Sequence, residues 1–122
     1  MIIVDNIDKV LDKLCSQIIA KRANYVCEYC GSDYNCSPHH IFGRKNRSTR
    51  WDLDDLIYLC SHHHTGDTYS AHQSKEFTTV WIKSYIGEEK YYALEQKSNQ
   101  IKKWTKQEKK ELAKKLKEMM KE

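Results

Sequence analysis

The spacing of cysteine and histidine constrains this chain more than any other feature. Cys27-x-x-Cys30 is followed 30 residues later by Cys60-x-x-His63. Each pair closes a tight turn that aims two ligands at one point, and two such pairs are what a tetrahedral structural zinc needs. A metal held this way would pin the segment before His39 and His40 to the segment after the polar loop that follows them. Its removal is expected to loosen everything between. Two exchanges within the set stay open: Cys36 for one of the four, and His62 for His63 if the turn winds differently.

A metal staple suits a chain of this size. At 122 residues it reads as one domain with a modest core. A mean hydropathy of −0.83 and 31% charged residues leave much of it as wetted surface. No apolar run approaches the roughly 20 residues needed to cross a bilayer, so no membrane role is expected. The opening "MIIVDNIDKV" lacks the features of a signal peptide. Five cysteines in a chain of this kind argue for metal rather than disulfides, and the expected location is cytoplasmic.

The hydrophobic pattern divides the chain into three parts. In 1–24, Ile7, Val10, Leu11, Leu14 and Ile18 fall at helical spacing, with Asp5 or Asn6 as N-cap and Cys15 as a small core residue on the same face. In 25–87, "YVCEYCG" reads as a short strand or tight turn and "HHIF" as a brief strand. Residues 44–50 read as an exposed basic loop, and Leu53, Leu56, Ile57 and Leu59 as an apolar stretch leading into "SHHHTGDTYSAH". Phe77, Val80, Trp81 and Tyr85 then make one helical face, stopped by Gly87. In 88–122, Tyr91, Leu94, Ser98 and Ile101 make another, and a Thr105/Glu108 capping box opens a last helix. The narrow stripe Leu112, Leu116, Met119 calls for a partner helix or a second copy of the chain, the basis for expecting a homodimer through the C-terminal helices. Residues 102–122 hold nine lysines against four glutamates, whereas the first 101 residues carry 12 basic and 13 acidic groups. That tail reads either as a solvated helix face or as a basic strip with affinity for phosphate.

Between the two halves of the knuckle lies "PHHIFGR", then the basic loop, then "DLDDLIYLC" running into His63-His64. In this arrangement the chain resembles the HNH nucleases of the ββα-metal superfamily. Zinc-containing members carry a C-x-x-C pair, a strand bearing [HD]-H, a loop, and an Asn-Leu-[IV]-x-Leu-Cys-x-x-[CH]-His segment. Here these correspond to Cys27 and Cys30, to His39 and His40, and to the run from Asp55 to His64. "HIFGR…RWD" and "AHQSKEF…W" look like small phage HNH proteins and, more loosely, the NinG/Rap recombination nucleases. The resemblance spans Val26 to Tyr92 and leaves both ends of the chain unexplained.

The resemblance implies an α+β fold: a small antiparallel hairpin and a helix gripping a catalytic metal, a zinc knuckle beneath, and flanking helices. It implies DNA as partner and hydrolysis of its phosphodiester bonds to 5′-phosphate and 3′-hydroxyl ends. His39 and His64 would hold the catalytic ion and His40 would be the base. An open, oxygen-rich shell suits Mg²⁺ or Mn²⁺, while an imidazole pair also attracts Zn²⁺ or Ni²⁺. Adjacent strand residues point to opposite faces, which fits two histidines with two jobs. Asp55 stands where the family has asparagine. An ionised carboxylate only accepts hydrogen bonds and, if close to His40, would raise its pKa. An alkaline optimum or a weaker enzyme is therefore expected. His72 is open between a third metal ligand, a phosphate contact and a helix residue satisfied locally. Arg44, Lys45, Arg47 and Arg50 are expected to hold DNA phosphates, or else to be solvated, and Trp51 to pack rather than stack on a base. The rival readings are a zinc-stapled DNA-binding module without catalysis and a protein-interaction module.

Overall fold

A computed structural model describes residues 6–121 and is α+β, mostly helical, with one two-stranded sheet. Helix α1 (Asn6–Arg22) follows from the apolar spacing read above. Asp5, one of the two expected caps, lies outside the described residues. The chain leaves α1 through Asn24 and Tyr25 at φ 54° and 61°, with the Tyr25 amide closing back on the Ala20 carbonyl at 2.8 Å. This left-handed exit turns it into the cysteine pair. The first pair sits on a turn rather than a strand, closed by the Gly31 amide on the Cys27 carbonyl at 2.8 Å, with Gly31 at φ +79°.

Strands β1 (Ser37–His40) and β2 (Leu56–Leu59) pair antiparallel, His39 opposite Ile57 and His40 opposite Leu56. The Glu28 amide and carboxylate bond the Tyr58 carbonyl and amide at 2.8 and 2.7 Å, so the knuckle turn covers the free edge of β2. Alternation along β2 sends Leu56 to one core and Ile57 and Leu59 to the other. The first core joins Leu11, Leu14, Cys15, Ile19, Trp51 and Leu56 to Ala113 and Leu116. The second gathers Cys27, Ile41, Ile57, Leu59, Cys60, Phe77, Ile82 and Tyr91.

Three expectations are corrected. The loop 44–50 is a run of turns whose Ser48 and Thr49 are buried, and so is not exposed throughout. The Ser48 hydroxyl donates to the Lys97 carbonyl at 2.6 Å and the Thr49 hydroxyl to the Asn46 carbonyl at 3.3 Å, which turns both side chains inward. The face expected from Phe77, Val80, Trp81 and Tyr85 is rotated: Phe77 and Ile82 are fully buried, while Val80 is 61% exposed. Residues Phe77–Ile82 form a wide π-type turn, which brings i and i+5 rather than i and i+4 to the same side. Ile101, assigned to a helical face, lies beyond helix α3 (Glu88–Ser98) and is 92% exposed. A short helix, α2 (Lys83–Ile86), precedes α3 and ends at Gly87, φ +98°.

Helix α4 (Lys106–Met120) starts at the expected capping box. The Thr105 hydroxyl accepts the Glu108 amide and the Glu108 carboxylate accepts the Thr105 amide, at 3.1 and 3.0 Å. Of its apolar stripe, Leu116 is buried in the core shared with α1 and Leu112 packs against that core, while Met119 is 37% exposed. No helix among the described residues is long and apolar enough to cross a membrane. Because Leu116 is 2% exposed in that seam, Leu116→Ala should cost about 2–5 kcal/mol in urea unfolding. A change under half a kcal/mol would mean that α4 is not docked on α1.

Candidate metal centres

Cys27, Cys30, Cys60 and His63 offer four ligand atoms that all lie within 4.8 Å of one another, and they could hold a metal such as zinc. The Cys30 and Cys60 sulfurs are 3.7 Å apart and the Cys60 sulfur is 3.2 Å from His63 Nδ1. Zinc–sulfur bonds of about 2.3 Å at tetrahedral angles put two sulfurs about 3.8 Å apart, so the donor set fits the ion. Burial acts to raise the Cys27 thiol, but backbone amides, Tyr29 N–H at 3.4 Å among them, hold it below its ordinary value. Burial and the neighbouring thiols push Cys30 up to about 11. The remaining candidates fall outside the set. Cys36 donates to the Ser32 carbonyl at 3.2 Å, and His62 is exposed beside Asp67 at 3.5 Å.

One residue further on, His64 belongs to a second group with His39 and His72, whose ligand atoms also lie within 4.8 Å of one another. The three rings meet tilted or edge-on, with centroids 4.6 to 5.2 Å apart. His64 Nδ1 bonds the Ser37 hydroxyl at 3.2 Å, leaving its Nε2 to face His72 Nε2 at 3.0 Å. Metal–nitrogen bonds of about 2.1 Å at octahedral to tetrahedral angles put two nitrogens about 3.0–3.4 Å apart, so these fit as well. Burial first, then the other histidines, pushes His39 down to about 3 and lowers His64, which keeps both rings neutral as metal ligands must be. The chain brings His72 in through two backbone bonds, Ala71 N–H to His63 O at 2.8 Å and His72 N–H to His64 O at 3.0 Å. In place of the expected helix, His64 rides a single wide turn, His62–Gly66. At Gly66 a side chain would meet the Ser61 carbonyl at 3.3 Å, and the turn goes no further.

His40 points to the other face. Its Nε2 donates to the Arg50 carbonyl at 3.1 Å, and it lines a cleft of about 200 Å³ in which Asp12, Arg44 and Arg50 meet the apolar Pro38 and Leu56. Burial lowers its pKa, opposed by the Arg50 carbonyl and Asp12. The carboxylate beside His40 is thus Asp12, not Asp55, and the rise expected from Asp55 is not found. Asp12 accepts Arg44 Nη2 at 2.9 Å, Arg50 Nε and Nη2 at 3.1 and 2.7 Å, and Trp51 Nε1 at 2.8 Å. Burial acts to raise it, but these donors hold it down at about 2. Arg47 reaches Asp8 at 3.1 Å, and Lys45 is exposed. Sequence reasoning missed Asp8, Asp12 and Ser37. Asp8 and Asp12 stand four residues apart on α1, and Ser37 shares its strand face with His39, so both signals were present.

Asp55 is fully buried. Its Oδ1 accepts the Phe42 amide at 3.1 Å, bracing the turn after His40, and its Oδ2 has no partner among the described residues. Burial pushes the carboxyl up to about 7 from 3.8. Between about pH 4 and 7 the folded chain holds a proton that the unfolded chain has lost, so this group's contribution declines as pH rises through that window and is constant above it. Asp55→Asn should therefore match the parent near pH 4 and exceed it at pH 8, by up to about 4 kcal/mol. Parallel stability profiles would show that Asp55 ionises freely when folded. For the metal groups, Co²⁺ titration should give thiolate-to-metal charge-transfer bands that Cys60→Ser weakens by about a third or more and His64→Ala leaves intact. Bands of undiminished intensity in Cys60→Ser would exclude Cys60 from the ligand set.

No family model matches this chain, and no curated protein and no solved structure matches it either, so the likeness to HNH nucleases rests on its residues alone.

Proposed function

We propose that this protein is a metal-dependent endonuclease of the HNH type, hydrolysing DNA to 5′-phosphate and 3′-hydroxyl ends. The observation that carries this reading is the convergence of His39, His64 and His72 on the hairpin face, one residue from the Cys27–Cys30–Cys60–His63 group. In this reading the four-ligand group holds a structural Zn²⁺ and the three histidines hold the catalytic ion. Three imidazoles favour Mn²⁺, Zn²⁺ or Ni²⁺ over Mg²⁺, which prefers oxygen. A divalent ion there supplies positive charge to the scissile phosphate and the departing 3′ oxygen.

The chain's own groups do the rest. His40 gives its Nε2 proton to the Arg50 carbonyl, so the lone pair that can take a proton from water is on Nδ1. Its lowered pKa keeps it neutral and ready as a base. Asp55 holds the backbone that follows His40, and in its protonated form it presents a donor as well as an acceptor, as an asparagine would. Arg44 and Arg50 line the same cleft as His40, where a phosphate could replace Asp12 as their partner.

A second reading is a zinc-stabilised, non-catalytic DNA-binding or protein-interaction module. It is favoured by one observation: Arg44, Arg47 and Arg50 already hold Asp12 and Asp8, on the face away from the three histidines. Incubation of supercoiled plasmid with Mg²⁺, Mn²⁺, Zn²⁺ or Ni²⁺ separates the two. Nicking is expected with at least one ion, abolished by EDTA and reduced about 100-fold or more in His40→Ala and His64→Ala. Cutting that survives His40→Ala would remove that residue as the base, and intact plasmid with every ion would leave the non-catalytic reading standing.

A further inference from the structure

Helix α4 carries a charge pattern that neither core nor metal group uses. At 100° per residue, Lys106, Lys110, Lys114, Lys117 and Lys121 fall on an arc of about 80°, along about 22 Å of helix. All five are exposed, and none has an acidic partner within ion-pair distance among the described residues. Other lysines are tied into the fold by ion pairs. Lys109, on the flank of the same helix, holds Asp8 at 2.8 Å, Lys102 holds Glu108 at 2.8 Å, and Lys97 holds Asp52 at 2.6 Å. A solvated helix face ordinarily alternates sign, because like charges three and four residues apart repel. This stripe repeats one sign at those intervals throughout, with Glu111 and Glu118 confined to its edge.

We infer that this lysine stripe is a docking surface for the phosphate backbone of duplex DNA. Leu112 and Leu116, on the far side of α4, and Ala113, on the flank of the stripe, pack toward α1 and Leu56, so the stripe faces outward beside the groove that α4 forms with Ile7 and Val10. Successive lysines lie about 6 Å apart along the axis, which gives a row of flexible ammonium groups against a regular row of phosphates. Point charges on long stems, with no arginine and no aromatic among them, suit backbone contact without base recognition. The inference rests on the nuclease reading only for the choice of DNA, and its test reads binding rather than cleavage.

The test uses the full chain loaded with zinc, with no other divalent ion added, and a fluorescent 20-base-pair duplex. Affinity is followed by anisotropy across a salt series. The triple variant Lys110→Gln/Lys114→Gln/Lys117→Gln is compared with Lys75→Gln/Lys103→Gln/Lys115→Gln, which removes equal charge from exposed positions off the stripe. Glutamine keeps helix propensity close to that of lysine, and circular dichroism verifies the fold of both. The stripe variant should bind at least tenfold more weakly at low salt and lose about 2.7 from the log–log salt slope, while the control loses less than one. Equal losses in the two variants would reduce the effect to net charge and overturn the inference. So would parent protein that fails to bind the duplex, or that prefers phosphatidylserine vesicles or polyglutamate at matched charge. Plasmid cleavage decides the catalytic reading separately, since every lysine variant retains both metal groups.

Discussion

One carboxylate fixes the arrangement on which the rest of this structure depends. Asp12, on the inner side of α1, receives donors from Arg44, Arg50 and Trp51 and so ties the whole connection 41–55 to the first helix. That connection joins the two strands, and its ends set their register. With two strands of four residues each and no third among the described residues, the sheet alone could not hold them. Charge-assisted bonds converging on one half-buried acid are stronger than neutral ones, and here they also orient the indole that fills the first core.

From this follows a division between the two faces of the hairpin. His39, opposite Ile57, lies with His64 and His72 next to the cysteine group, while His40, opposite Leu56, lies with α1, Asp12 and the arginines. Two neighbouring histidines thus occupy different chemical settings, one among imidazole rings and the other among charges. The loop cations belong to the second setting, and their first role in the fold is structural. The five lysines of the α4 stripe, by contrast, make no ion pair among the described residues.

Much of the site was legible as local spacing. Cys27, Cys30, Cys60 and His63 converge because each pair closes its own turn, and a turn is specified by the few residues within it. The T-x-x-E cap, the amphipathic α1 and the stop at Gly87 are local for the same reason. His72 was left open because its place depends on two backbone bonds to a wide turn, and no periodicity announces a π-type turn. The same kind of turn displaced Val80 to the surface and Ile82 to the core. Asp55 could be assigned its position but not its state, since protonation follows from burial and burial follows from the packed fold.

The sequence by itself determined which residues close the cysteine–histidine turns, that the two adjacent histidines must face opposite ways, and where the main helices run. These are properties of a few bonds and of backbone period. Only the tertiary structure decided that His72 completes a second group, that Asp12 rather than Asp55 stands beside His40, and that Leu116 of α4 is buried against α1. Each of those depends on segments far apart in the chain meeting in space, and burial, charge pairing and backbone bonding between them are set only once the whole fold has closed.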